Sequence, residues 1–511
     1  MRARAVSRFP ALSPPQWLAL LAAVIFAIMY FSTALPRLVY PYDLDFIEDS
    51  MLMQALRFAR QQPVFIAPNA DFNPHVYMPF YTFLGGWLFK FTSPSFVPLR
   101  LLSFSASLVM ALLVGYITFR ETKGDKWLLC VSVGLALGGY RISGFWFDLA
   151  RVDSLFVALG LSGFTLGLYA RDSQTGVVTS ALLLALAFFT KQTALLLSLG
   201  LAVCLFLTNR RNGWLFTITY VGLISVSLFS INSFTDGWFF YHVFGIASRD
   251  PVELQRLGQY IVGEVFGRMV GLSLPALLAA GLGFRRVGWR ILREQPWLVG
   301  LAMAVAISGA GRISVGGNLN NLMPAYACLC LAPALLCREL KLWAAKPIPA
   351  SRPRLGWPRI YSPEIIIPLL ALLQFALGVY NPFRYIPSPA MRASGDRFIQ
   401  RLASINGNVL VMMHPYYALL AGKEPATQIA ALWYVRERGA LPLPDDFVSR
   451  LQNHYYAAII SDESFFEIEP TLVGLITKYY VLAETLPLAS TPLAPVGMAV
   501  RPQVIYLPAQ P

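Results

Sequence analysis

Long apolar runs separated by short polar clusters dominate the first 380 positions. A helix needs about 17–25 apolar residues to cross a bilayer. Eleven runs meet that length or approach it: 16–35, 97–118, 127–147, 154–170, 175–190, 193–208, 213–233, 266–284, 296–311, 321–337 and 362–380. The first is too long for a signal peptide and lacks a small-residue cleavage site, so it reads as a retained span. The segment 77–92 (YMPFYTFLGGWLFKFT) is apolar but short, and reads as interfacial or re-entrant. From Asn381 the pattern changes to short strands (408–413, 456–462, 479–486, 497–507) alternating with helical stretches near 425–438 and 470–478. That alternation predicts a small α/β domain with a mainly parallel sheet over 391–511, behind a Pro-rich linker at 381–390. The fold class is thus a polytopic α-helical membrane protein of about eleven transmembrane helices with a C-terminal extracytoplasmic α/β domain. The Pro-rich loop 346–363 reads as a tether.

Composition narrows the class. The chain is 56% hydrophobic and 13% charged over 511 residues, against about 25% charged in an average soluble domain. That excludes a water-soluble enzyme, a disordered chain and a fibrous repeat. The net charge of +14 would suggest nucleic acid only with a basic face on a soluble domain. Here the cations instead fall in short clusters between apolar runs. With 77–92 not crossing and Arg2, Arg4 and Arg8 cytoplasmic, the clusters at 120–126, at 171, at 210–211, at 285–293 and from Arg338 to Arg359 all fall inside. Eleven spans then put the C-terminus outside, in a cell-membrane protein. The five cysteines lie in or at the ends of apolar runs, with no disulfide, zinc or haem spacing, and read as small buried hydrophobes.

The polar residues of interest fall on the outer side. The first outer loop, 36–76, carries Asp43, Asp45, Glu48 and Asp49 in YDLDFIEDS. Asp45 and Glu48 fit a capping box, but four acids exceed what one cap needs, and a carboxylate there could serve as a general base. FDLARVDSLF carries Asp148, Arg151 and Asp153, and FFTKQTALL carries Lys191 and Gln192. An isolated Arg and Lys on the outer side run against the positive-inside bias, although Asp neighbours or snorkelling would account for each alone. GRISVGGNLNNLMPA carries Arg312, Asn318 and Asn320, where Asn capping competes with phosphate binding by exposed amides. His75 and Tyr77 precede MPFY, and His242 lies in the aromatic loop 236–245; two lone histidines make no metal site. Acids, cations and aromatics together suit a substrate with a lipid tail, a phosphate and a hydroxylated group.

The series D-x-x-E, then Tyr77-x-Pro79-x-Tyr81, then ARVDSLFVALGLSGF, FFTKQTALL and GGNLNNLMPA resembles the polyprenyl-phosphate-sugar-dependent glycosyltransferases of the GT-C superfamily. These are relatives of protein O-mannosyltransferases and of the lipid A aminoarabinose transferase. The resemblance covers about residues 15–380, so 1–380 reads as the catalytic module. It implies inverting transfer of a sugar from a polyprenyl phosphate to a hydroxyl acceptor (glycolipid, polysaccharide or protein) at the outer membrane face. It places the catalytic acid at Asp45 or Glu48, with Asp43 behind them, and donor-phosphate cations at Arg151 and Lys191. Arg312 is a further candidate for the donor phosphate, and His75, Tyr77, Asp153, Gln192, Asn318 and Asn320 are candidates for binding the substrate. Some relatives use a divalent metal beside the acid; nothing in the sequence demands one. Two other classes compete: a transporter or flippase of lipid-linked sugars, which predicts charges deep within spans and repeated halves, and a membrane scaffold with an external binding domain.

Overall fold

The computed structural model describes residues 12–345, 362–462 and 470–509. Arg2, Arg4 and Arg8 and nearly all of the Pro-rich loop 346–363 lie outside the described residues. Every apolar run named above coincides with helix. The bundle begins with α1 (Pro14–Leu38), α2 (Phe46–Ala59), α3 (Phe80–Leu88), α4 (Phe96–Glu121), α5 (Lys126–Ile142), α6 (Asp153–Tyr169), α7 (Gln174–Thr190), α8 (Leu195–Thr208) and α9 (Arg210–Phe234). Helices Val270–Val287, Trp297–Ile313, Met323–Leu329, Ala332–Ala344 and Pro363–Gly378 complete it. Among the described residues, 6 helical stretches are long and apolar enough to cross a membrane by length and composition. Their outward faces are apolar. α1 buries Ala19, Ala23, Phe26 and Tyr30 while exposing Trp17, Leu21, Ile25 and Ile28, and α9 exposes Trp214, Ile218, Val226 and Phe229. Such helices have their hydrophobic stripe facing outward, as lipid requires.

The segment 77–92 forms the 9-residue α3. At 1.5 Å per residue it spans about 14 Å, half of a hydrocarbon core of about 30 Å. It lies on α2: a Cβ at Gly86 would sit 2.5 Å from the Phe58 Cβ and 2.7 Å from the Ala55 carbonyl oxygen. Phe83, Trp87 and Phe91 remain exposed.

Among the described residues four strands follow, β1 (Asn408–Val411), β2 (Tyr456–Asp462), β3 (Tyr480–Thr485) and β4 (Pro502–Pro508), in the order β1-β2-β4-β3. The expected mainly parallel pairing is corrected here. β1 pairs parallel with β2, but β4 pairs antiparallel with both β2 and β3. The first three strands do run in one direction, as their helical crossovers require. The chain between β3 and β4 has no crossover helix, so the last strand returns antiparallel and inserts between two parallel neighbours. β4 also starts at Pro502 rather than at 497, and residues 497–501 belong to the preceding loop. Both faces of the sheet are buried along β1 and β2, while β3 at the edge is largely exposed. Val409, Val411, Ala458 and Ile460 join the core continuous with the bundle, whereas Leu410, Ile459, Val504 and Tyr506 pack with Phe447, Leu451, Leu472 and Ile476.

The C-terminal segment is fastened to the first loop. The Tyr42 hydroxyl donates to Asp396 (2.6 Å), Asn73 Nδ2 to Thr427 Oγ1 (2.7 Å), and Gln428 Nε2 to the Phe46 carbonyl (2.9 Å). Replacing Gly86 with Val should overpack the α2–α3 contact and cost about 1–3 kcal/mol, read as a lowered Tm in detergent; an unchanged Tm would show that α3 does not rest on α2.

Candidate active site

The site lies at one end of the bundle, where α1 ends, α2, α4 and α6 begin, and α5 and α7 end. Glu48, in the first turn of α2, is buried and paired with the buried Arg100 of α4 (Oε2 to Nη2 2.7 Å, Oε1 to Nε 2.9 Å). Its carboxylate also accepts the Leu44 N–H (2.7 Å) and the Ala150 N–H (2.6 Å). Arg100 donates further to the carbonyls of Arg37 (3.0 Å), Tyr40 (2.6 Å) and Tyr42 (2.7 Å). Glu48, a sequence candidate for the catalytic acid, thus accepts four hydrogen bonds and has no oxygen left for a substrate proton. A second buried pair stands beside it: Arg37 Nε lies 3.0 Å from Asp148 Oδ2, and the Tyr140 hydroxyl donates to Asp148 Oδ1 (2.6 Å).

Asp45 caps α2, its Oδ1 accepting the Ile47 N–H at 3.2 Å. The same oxygen pairs with Arg151 Nη1. Burial pushes the Asp45 carboxyl up, Arg151 pulls it down and Glu48 raises it again; the result is about 6, against an ordinary 3.8. Arg151 Nη2 also donates to the Tyr77 hydroxyl (2.7 Å). Two residues on, Asp153 Oδ1 accepts from Lys191 Nζ (2.7 Å) and from Asn320 Nδ2 (3.1 Å), and Lys191 reaches Asn321 Oδ1 at 3.0 Å. Asp45, Arg151 and Tyr77 thus form one contact group and Asp153, Lys191 and Asn320 a second, drawn from five separated segments and joined through the backbone from Arg151 to Asp153 and the attraction between those two charges. Among the described residues, Arg151 Nε and Asp153 Oδ2 are buried without a hydrogen-bond partner.

Asp43 takes a different part. Its Oδ2 lies 2.7 Å from His414 Nδ1, its Oδ1 accepts from the Tyr417 hydroxyl, and His414 Nε2 lies 3.2 Å from Asp462 Oδ1. Burial disfavours the charged forms of both Asp43 and His414, but their mutual attraction outweighs it. The imidazole is held well above its usual value, with Asp462 adding to the effect, and the Asp43 carboxyl below its own. Asp49 accepts the Tyr416 N–H (3.0 Å). These two acids tie the first loop to the C-terminal segment.

The remaining candidates disperse. His75 Nε2 lies 3.0 Å from Gln428 Oε1, and burial brings it down to about 4, so it is neutral. His242 faces the Ile66 carbonyl at 2.9 Å. Arg312 forms a two-pronged pair with Glu264 (2.6 and 2.9 Å) and donates to the Gly317 carbonyl, which holds a loop rather than leaving a free cation. Gln192 opens a single 3-10 turn after α7. Asn318 caps the Leu319 N–H (2.8 Å) and lines a cavity of about 400 Å³ with Arg141, Phe145, Trp146, Arg268, Tyr385 and Gly497. Sequence reasoning missed Arg141 and Arg268 in that cavity, as well as Arg37, Arg100 and His414. Arg141 carried a usable signal, being a lone cation at the same bundle end as Arg151 and Lys191. Among the described residues, no group of three His, Cys, Asp or Glu is placed to hold a metal ion.

No family model matches the chain, and no curated protein matches it. Solved structures do. ArnT from Cupriavidus metallidurans in the apo state aligns with a TM-score of 0.58 at 14% identity, covering 96% of this chain and 97% of that one. The same protein bound to undecaprenyl phosphate gives 0.53 at 13%, over 97% and 98%. The oligosaccharyltransferase AglB from Archaeoglobus fulgidus, in complex with an inhibitory peptide and a dolichol-phosphate, gives 0.51 at 12%, over 97% and 76%. The likeness is one of fold. This chain shares the fold of ArnT and AglB over 96–97% of its length, so the C-terminal segment lies within that likeness.

Breaking one partner of a buried ion pair costs about 3–5 kcal/mol, because the other charge is left unpaired. Glu48→Gln and Arg100→Met should each lower the Tm sharply in detergent. Normal stability of either variant would remove the Glu48–Arg100 pair from its organising place.

Proposed function

We propose that this chain is a membrane glycosyltransferase that moves a sugar from a polyprenyl-phosphate donor to a hydroxyl acceptor, with inversion, at the outer face of the cell membrane. The observation that carries the reading is the pair of adjoining ion pairs Asp45–Arg151 and Asp153–Lys191, with Arg151 and Asp153 two residues apart. It lies at one end of a bundle with the fold of ArnT, a protein solved with undecaprenyl phosphate.

Asp45 is the base. The acceptor oxygen bonds to the anomeric carbon as its proton passes to Asp45. The bond from that carbon to the phosphate oxygen breaks, and its electron pair leaves with the lipid phosphate. A base near 6 is ionised at neutral pH and still close enough in affinity to take a proton. When Asp45 is neutralised, Arg151 loses its counter-charge, and its guanidinium becomes available to the leaving phosphate. Lys191 adds a second cation, and Arg141 and Arg268 add two more at the cavity rim. Glu48 and Asp43 are positioning residues. The positive-inside pattern supports the outer placement of this end.

Asp45→Asn keeps a capping oxygen and removes the base. Envelope glycans analysed by mass spectrometry, with the chain, without it and with this variant, should show a product that vanishes without the chain and falls about 10²-fold in the variant. An Asn variant as active as wild type would remove Asp45 as base. Transfer by the wild type should fall as pH drops through about 6, because protonated Asp45 cannot accept the acceptor proton; an acid limb elsewhere would assign the base to another group. Reporter fusions at 122 and 210 should be cytoplasmic and one at 450 external; a cytoplasmic signal at 450 overturns the outer-face assignment.

A further inference from the structure

The two oxygens of Asp45 have different surroundings. Oδ1 is taken by the Ile47 N–H and by Arg151. Oδ2 faces Gly497, where a Cβ would lie only 2.4 Å away. Gly497 has φ +70 and also sits against the Trp146 ring, 3.4 Å from where a Cβ would be. Only glycine has both the left-handed backbone and the missing side chain needed there. Gly497 is at the tip of the loop Thr491–Val500, which lies between β3 and β4. The loop closes on itself through the Ala494 N–H to the Val500 carbonyl (3.2 Å) and reaches the first loop through the Val496 N–H to the Leu44 carbonyl (2.9 Å). Its base is held elsewhere, by Arg501 Nη1 donating to the Leu488 carbonyl (2.8 Å) and by Arg397 to the Ala489 carbonyl. The tip Pro495–Gly497 also forms one wall of the cavity of about 400 Å³, whose lining includes Trp146, its buried indole N–H without a partner among the described residues.

We propose that the loop Thr491–Val500 is an acceptor gate. It stands where the acceptor hydroxyl must arrive, on the oxygen of Asp45 that has no hydrogen-bond partner among the described residues, and swings about its anchored base to open the cavity onto that oxygen. The inference rests on Asp45 being the base. A closed gate keeps water from Oδ2 while donor is bound without an acceptor, so it suppresses hydrolysis of the donor. Opening breaks the Val496–Leu44 hydrogen bond and withdraws Gly497 from the carboxylate, while the contacts at Leu488 and Ala489 persist.

Leu44 and Val496 are neighbours across that hydrogen bond, so the pair Leu44→Cys and Val496→Cys can lock the gate in a Cys130→Ser background, which removes the exposed native thiol. Opening is read without substrate, as the rate at which a water-soluble carbodiimide and glycine ethyl ester label Asp45, followed by peptide mass spectrometry. Labelling should be at least tenfold slower in the oxidised protein than after reduction, and the envelope product should fall and recover in parallel. A second variant, with Pro495–Gly497 deleted, should label several-fold faster than wild type. Equal labelling in the locked, reduced and shortened proteins overturns the gate. Full product formation by the locked protein, with Asp45→Asn inactive, also overturns the gate and leaves the base in place. Full activity of Asp45→Asn strikes the base itself, and the acceptor gate, which rests on it, falls too.

Discussion

The buried pair of Glu48 and Arg100 holds the site together. Two opposite charges removed from water are tolerated only when every lone pair and proton finds a partner, and this pair meets that demand with backbone. Arg100 gathers the carbonyls of Arg37, Tyr40 and Tyr42, and Glu48 gathers the N–H groups of Leu44 and Ala150. The chain leaving α1 and the chain entering α6 are thereby fixed to α4. Asp45 and Arg151, each one residue from a gathered group, are brought into contact as a consequence.

Acids and cations alternate along the two adjoining pairs Asp45–Arg151 and Asp153–Lys191, which the backbone from Arg151 to Asp153 links into a chain. Such a chain is close to neutral and stable without ligand, yet any proton or phosphate that enters it redistributes the charge. The raised Asp45 carboxyl reflects that balance: burial and Glu48 push it up, and one guanidinium offsets only part of the rise. Asp43 lies in the same loop but meets His414 and ends below its ordinary value. Two carboxyls of one short loop thus acquire different chemistry from the partners they face.

The C-terminal segment contributes more than cover. His414, whose other ring nitrogen meets Asp462, holds Asp43, Tyr416 holds Asp49, and Gly497 rests on Asp45. The antiparallel return of β4 leaves a long connection after β3, and that connection reaches the site.

Much of this was legible in the sequence. Apolar runs of bilayer length gave the helices, because helix formation in lipid depends on local composition. All four strands, and the common direction of the first three, followed from alternation with helices. The acids of 43–49, with Arg151 and Lys191, were visible because charges at those places run against a local expectation. The tertiary structure decided the rest. Arg37 and Arg100 look like ordinary helix-end residues until their partners, 111 and 52 positions away, are in place. Glu48 and Asp45 are indistinguishable by type and spacing, and only long-range contacts leave one saturated and the other with a free oxygen. Period and composition are properties of neighbours along the chain. The partner of a buried charge, and the loop that covers it, are properties of segments that meet only after folding.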